Sequence, residues 1–143
     1  MSETIGEAAT PPEAARERAP VTPYDLVGGA EGVRRLAIRF YEIMNEEPAA
    51  AGIRAMHGRN LGPIKERLFE FLSAWLGGPR DYFERPDRPC IRGAHRPFAI
   101  GPAERDQWLM CMHRALAETG VHEEVRRALE QPFFRMADML RSR

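Results

Sequence analysis

Residues 72–116, LSAWLGGPRDYFERPDRPCIRGAHRPFAIGPAERDQWLMCMHRAL, decide the fold. They open as the end of an apolar-faced helix and break at Gly77-Gly78-Pro79, two conformationally loose residues and one that cannot donate to a helix. Pro79, Pro86, Pro89 and Pro97 then keep residues 79–101 largely in loop, with room for at most a short helix over Ile91–Ala94. A loop of that length inside a compact domain usually carries a function. Pro102 reopens the helical pattern, because a proline at the first helical position gives up only an N–H that would be unpaired anyway. Trp108, Met112, Ala115 and Leu116 fall on one face of a helix over 103–119, with Gly120 as its C-terminal cap.

Upstream, Val33, Leu36, Ala37, Phe40 and Met44 recur at helical spacing, which predicts a long helix over Ala30–Asn45 with Gly28-Gly29 as the turn before it. Pro48 ends that helix. A short helix follows over Ala49–Met56, then a turn at Gly58–Asn60. Pro63 opens a second long helix carrying Ile64, Leu68, Phe71, Leu72 and Trp75 on one face. Downstream, Val125, Leu129, Phe133, Met136 and Leu140 predict a last helix over His122–Arg141, kinked at Pro132. No stretch alternates at period two for long enough to make a strand, so the class is all-α. Four long helices suit either a bundle or a reduced globin, and periodicity does not choose between them.

A chain of 143 residues is the size of one domain. Residues 1–21 are rich in Ala, Glu, Arg and Pro without an apolar face and read as a flexible extension, leaving 22–143 as the folded domain. Lys and Arg number 21 against 21 Asp and Glu, so no global positive field favours nucleic acid. The most apolar stretch, Leu68–Leu76, is interrupted by Glu70 and Ser73, which argues against a membrane span. The acidic N-terminus is a poor secretory signal, and a cytoplasmic location is expected. Cys90 and Cys111 match no zinc spacing and read as packing residues, while His113 and His122, on polar stretches of the later helices, read as surface residues.

Four strings narrow the choice: RFYEIM at 39–44, LSAWLGGPRDYF at 72–83, RGAHRPFAIG at 92–101 and ERDQWLMCMHRAL at 104–116. Together they resemble the truncated haemoglobins, specifically their second group. The resemblance spans Thr22 to about Leu140. It implies a two-over-two helical sandwich around haem b, iron protoporphyrin IX, with His95 as the iron's protein ligand. By spacing alone His95 reads as a loop histidine bonded to backbone; the flanking strings give it the metal. A neutral imidazole binds haem iron strongly and leaves the opposite axial position to a small molecule.

The same resemblance implies a distal face built from Tyr41, His57, Ile64, Leu68 and Trp108. Tyr41 and Trp108 would donate to a bound diatomic ligand. His57 stands where relatives carry Tyr or Phe and would add a titratable donor, with Met56 as the neighbouring candidate for that position. Ile64 replaces a polar gate with a hydrophobe. Around the macrocycle the implied contacts are Arg67, Leu68, Tyr82, Ile91, Arg92, Phe98 and Ile100, with Arg67, Tyr82 and Arg92 serving the propionates through charge-assisted or hydroxyl bonds. Ala94 stands where the group often has a basic residue, which shifts weight to Arg92.

The function implied is reversible binding of O2, CO, NO or a similar ligand at a five-coordinate iron. An enzyme that oxidises NO or reduces peroxide and a haem-free interaction module with a globin fold are the alternatives. A reductase that keeps the iron ferrous is an implied partner, and a homodimer stays open.

Overall fold

A computed structural model describes residues 21–84, 86 and 90–143, and all but the last residue of the expected extension over 1–21 lie outside them. Thr22 starts the first helix. Its hydroxyl accepts from the Asp25 amide while the Asp25 carboxylate accepts from the Thr22 amide, a reciprocal cap ahead of α1, Pro23–Val27. The reading from periodicity missed α1, because a five-residue helix is too short to show a stripe. Gly28, at φ 117°, ends α1 and begins α2, Gly29–Glu46. The chain doubles back so tightly there that a Cβ on Gly32 would strike the Val27 carbonyl.

Val33, Leu36, Phe40 and Met44 of α2 are buried, as their spacing predicts. A 3-10 turn over Pro48–Ala50 and α3, Ala51–Arg54, stand where one short helix over 49–56 was expected. Next come α4, Gly62–Trp75; α5, Asp81–Glu84; α6, Ile91–His95; α7, Pro102–Glu118; and α8, Glu123–Met139. The expected loop over 79–101 therefore holds two single-turn helices, and the second reaches one residue beyond Ala94 to include His95. Residues 85 and 87–89 of that stretch, with Pro89, lie outside the described residues. Helix α8 runs on through Pro132 to Met139 rather than ending there. Thr119 is the residue that caps α7, and Gly120 follows it at φ 85°. No strand occurs among the described residues.

The four long helices form two pairs, α2 with α4 and α7 with α8, joined where α2 packs on α7. Each of the four contributes one ring to a continuous aromatic column. Phe40 of α2 lies 5.4 Å from Trp108 of α7, Trp108 lies 5.8 Å from Phe133 of α8, and Phe133 stacks at 4.6 Å on Trp75 of α4. All three separations are within the range at which aromatic pairs attract beyond simple burial.

Two side chains, Cys90 and His113, depart from expectation, and a third, Cys111, is buried as expected. Cys90 is exposed rather than packed, because it caps the start of α6 at the surface. Cys111 is buried, and that burial pushes its thiol up to about 11, which leaves it unreactive. His113, expected at the surface, is half-buried with its ring edge-on to Phe133 at 6.3 Å, and burial lowers its pKa.

Phe133 is fully buried between two tryptophans, so Phe133→Ala removes contacts from three helices at once. Chemical denaturation is expected to show a loss of about 3–5 kcal/mol, and a smaller loss for Phe133→Leu, which keeps most of the apolar volume but not the ring contacts.

Candidate functional site

His95 is the last residue of α6, and Ile91 is one turn before it. The His95 Nδ1 donates to the Ile91 carbonyl at 2.7 Å. A carbonyl only accepts, so this bond puts the ring's proton on Nδ1 and leaves Nε2 with a free lone pair. Ile91 itself packs against the core, which anchors the helix that presents the histidine. Downstream, the C-terminal tail holds the chain. The Ser142 hydroxyl donates to the Phe98 carbonyl at 3.0 Å and accepts from the Ile100 amide at 2.9 Å, and the Ser142 amide donates to the Ile100 carbonyl at 2.8 Å. The amide of Gly101 then donates to Glu104, whose carboxyl is held below its usual range by the backbone bonds it accepts and by nearby Arg143. Ser142 escaped the sequence reading, since a polar residue two places from the end carries no pattern.

A second group of side chains surrounds Phe40. Tyr41 lies edge-on to Phe40 at 4.9 Å and Trp108 lies on its other contact at 5.4 Å; the ring of His57 stands 5.7 Å from Tyr41. Three residues far apart in sequence, from α2, the turn after α3, and α7, are thus within one ring of each other. His57, one of the two candidates for this position, thus has its ring against Tyr41. Tyr41 is only 4% exposed, yet its hydroxyl has no hydrogen-bond partner among the described residues, and neither has the Trp108 indole N–H. Buried hydroxyls are nearly always paired, so such a donor marks a place where something polar belongs. Burial holds the Tyr41 phenol well above its ordinary pKa, so it remains a donor throughout the physiological range.

His57 repeats the arrangement at His95. Its Nδ1 donates to the Ile53 carbonyl at 2.8 Å, one turn back. The neutral ring therefore offers a lone pair at Nε2, not the N–H donor that the sequence reading expected; it donates there only when protonated. Arg54 fixes the turn that carries it, bonding Asn45 Oδ1 at 2.9 Å and the carbonyl of Gly58 at 3.0 Å. From α7, Gln107 accepts from the Ile53 amide at 3.0 Å, and Arg114 pairs with Glu47 at 2.7 Å. These three holding residues were invisible in sequence, because each acts through backbone or charge partners distant along the chain.

Between these groups the α4 residues Ile64, Leu68 and Phe71 are half-buried, packed on the core from one side. Phe98 is 38% exposed, and Ile100 is half-buried. Tyr82 is buried against Phe71 at 5.6 Å, more enclosed than a propionate contact at the pocket rim requires. Arg67 and Arg92 are exposed and form no ion pair or hydrogen bond among the described residues, so both guanidiniums are available to carboxylates. One imidazole with a free Nε2, apolar walls, two unanswered donors, one buried and one partly buried, and two guanidiniums unpaired among the described residues fit the donor set that a haem requires.

Comparisons with known proteins agree. Residues 22–142 match the family model described as bacterial-like globin. A group 2 truncated hemoglobin of Bacillus subtilis, YjbI, is 32% identical over 107 residues, covering 75% of this chain and 78% of that protein. Among solved structures, a group II 2-on-2 hemoglobin from Agrobacterium tumefaciens is 39% identical with a TM-score of 0.79, covering 86% of this chain and 95% of the other. A cold-adapted truncated hemoglobin from Pseudoalteromonas haloplanktis is 36% identical with a TM-score of 0.80, covering 86% and 99%.

Proposed function

The chain belongs to the bacterial-like globin family, as a group II truncated haemoglobin of two-over-two fold, and from that premise we propose that residues 22–143 bind iron protoporphyrin IX through His95 Nε2 and hold a diatomic ligand beneath Tyr41 and Trp108. Membership makes it a haem protein that binds small gaseous ligands such as O2. The observation that carries the finer reading is the buried Tyr41 Oη–H without an acceptor among the described residues, with the partly buried Trp108 Nε1–H, also unanswered, on the same Phe40 ring. When bound, the haem would supply an iron that can take a diatomic ligand.

The protein's own residues do the rest. The Ile91 carbonyl orients the His95 ring and raises its basicity by drawing on the Nδ1 proton. Ile64, Leu68 and Phe71 exclude water from the distal side, which strengthens each polar contact made there. Tyr41 and Trp108 would donate hydrogen bonds to a diatomic ligand held in the pocket and slow its release. Arg67 and Arg92 take the propionates, and Phe98 and Ile100 line the proximal wall. A reductase must return the iron to the ferrous state between cycles.

A specific observation favours a second reading, in which the same pocket reduces peroxide. The bond from His57 Nδ1 to Ile53 leaves Nε2 as a base next to Tyr41, which is what a peroxide needs in order to lose its proton on binding. Slow O2 release and peroxide reduction both set this chain apart from bulk oxygen delivery.

Tyr41→Phe is expected to raise the O2 dissociation rate about tenfold, the worth of one hydrogen bond of about 1.4 kcal/mol, in stopped-flow displacement by CO. An unchanged rate would remove Tyr41 from the ligand site. His57→Phe is expected to slow the reaction of the ferric protein with hydrogen peroxide by about a hundredfold, while a merely structural histidine would leave that rate where it was.

A further inference from the structure

The chain has two tryptophans, and both contact the same buried ring. Trp108 belongs to the pocket beneath which the diatomic ligand is proposed to bind. Trp75 is half-buried and lines a groove of about 220 Å3 on the opposite side of Phe133, between α1, the end of α4, and α8. The groove's walls include Leu26, Val125, Leu129 and Pro132, and no charged side chain lines it. The indole N–H of Trp75 has no acceptor among the described residues. From pocket to surface, the route consists of two ring contacts at 5.8 and 4.6 Å.

We propose that Trp75 is a surface redox site, at which small neutral phenols give up electrons that pass through Phe133 and Trp108 to peroxide reduced in the haem pocket. The proposal rests on the peroxide-reducing reading of the pocket. Indole and phenol rings are the side chains that lose one electron most readily, and rings within van der Waals contact couple well enough to pass it on. The balance is H2O2 + 2 ArOH → 2 H2O + 2 ArO•. The O–O bond breaks, each phenol loses one electron and one proton, and the two electrons and two protons complete two waters. On transient oxidation Trp75 releases its indole proton to solvent, to which it is already half exposed, and recovers it when a phenol reduces it.

Two features fit this role better than they fit packing alone. An uncharged groove receives a neutral aromatic ring without stripping a charge of its water, and so selects phenols over anionic reductants such as ascorbate. His113, the one titratable ring on Phe133, is held toward its neutral form by burial, although Glu130 opposes this, so no cation sits beside the route to repel the passing positive charge.

The test is to mix ferric holoprotein with hydrogen peroxide and a nitroso spin trap, map the adduct by peptide mass spectrometry, and measure guaiacol and ascorbate oxidation in parallel. Wild type is expected to carry the adduct on Trp75. In Trp75→Phe that adduct is lost and guaiacol oxidation falls about tenfold, while the initial peroxide-driven change in the Soret band keeps its rate. Ala128→Glu, at an exposed lining position, is expected to keep the Trp75 adduct and lose guaiacol oxidation, with ascorbate oxidation little changed. A wild-type adduct elsewhere, or guaiacol oxidation at full rate in Trp75→Phe, overturns the relay. A Soret band that does not respond to peroxide in wild type overturns the peroxide reading and the relay with it.

Discussion

One aromatic column constrains the molecule. Phe40, Trp108, Phe133 and Trp75 come from four different helices, and each ring touches the next. Because interiors pack at crystal-like density, the position of any one of these rings limits where the other three helices can lie. The pocket depends on the column directly. Tyr41 follows Phe40 on α2 and stands edge-on to it, and Trp108 is itself a member, so the two donors are held by the same contacts that hold the fold. The usual division between a rigid scaffold and site residues placed on it does not apply to this chain.

Burying the Tyr41 phenol hydroxyl with no protein acceptor costs about 1–3 kcal/mol. A domain of this size has a total stability of only about 5–15 kcal/mol, so that cost is a sizeable part of the whole. The holding contacts around the site make sense on that scale. Arg54, Gln107 and the Arg114–Glu47 pair fix the turn before α4 from behind, and Ser142 fixes the segment after His95. Each reduces the freedom of backbone that would otherwise relax to bring an acceptor to Tyr41 or Trp108.

Much of this was legible in the sequence, for physical reasons that also explain what was not. The long helices were readable because burial of one face repeats every three or four residues, and Phe40, Phe133 and Met112 all fall on the expected faces and are buried. Helices α1, α5 and α6 are too short to repeat anything, and Cys90 and His113 were misplaced because a single residue has no period. The matching strings supplied His95, Tyr41 and Trp108, which spacing would have treated as a loop histidine and two core aromatics. His57 shows the remaining gap. Its identity could be read, but its chemistry depends on which ring nitrogen is bonded, and only the contact with the Ile53 carbonyl answers that. At His95 the two readings prove compatible, since the backbone bond occupies Nδ1 and leaves Nε2 for a metal.

The central claim is that His95 is the protein's bond to haem iron. The most direct measurement is the absorption spectrum of wild type and His95→Ala in ferric, ferrous and ferrous-CO forms, with and without added imidazole. Wild type is expected to show an intense Soret band that shifts on CO binding. His95→Ala is expected to lose the imidazole-ligated ferrous spectrum and to recover it when free imidazole is supplied. Spectra of His95→Ala that superimpose on wild type in all three forms would contradict the account.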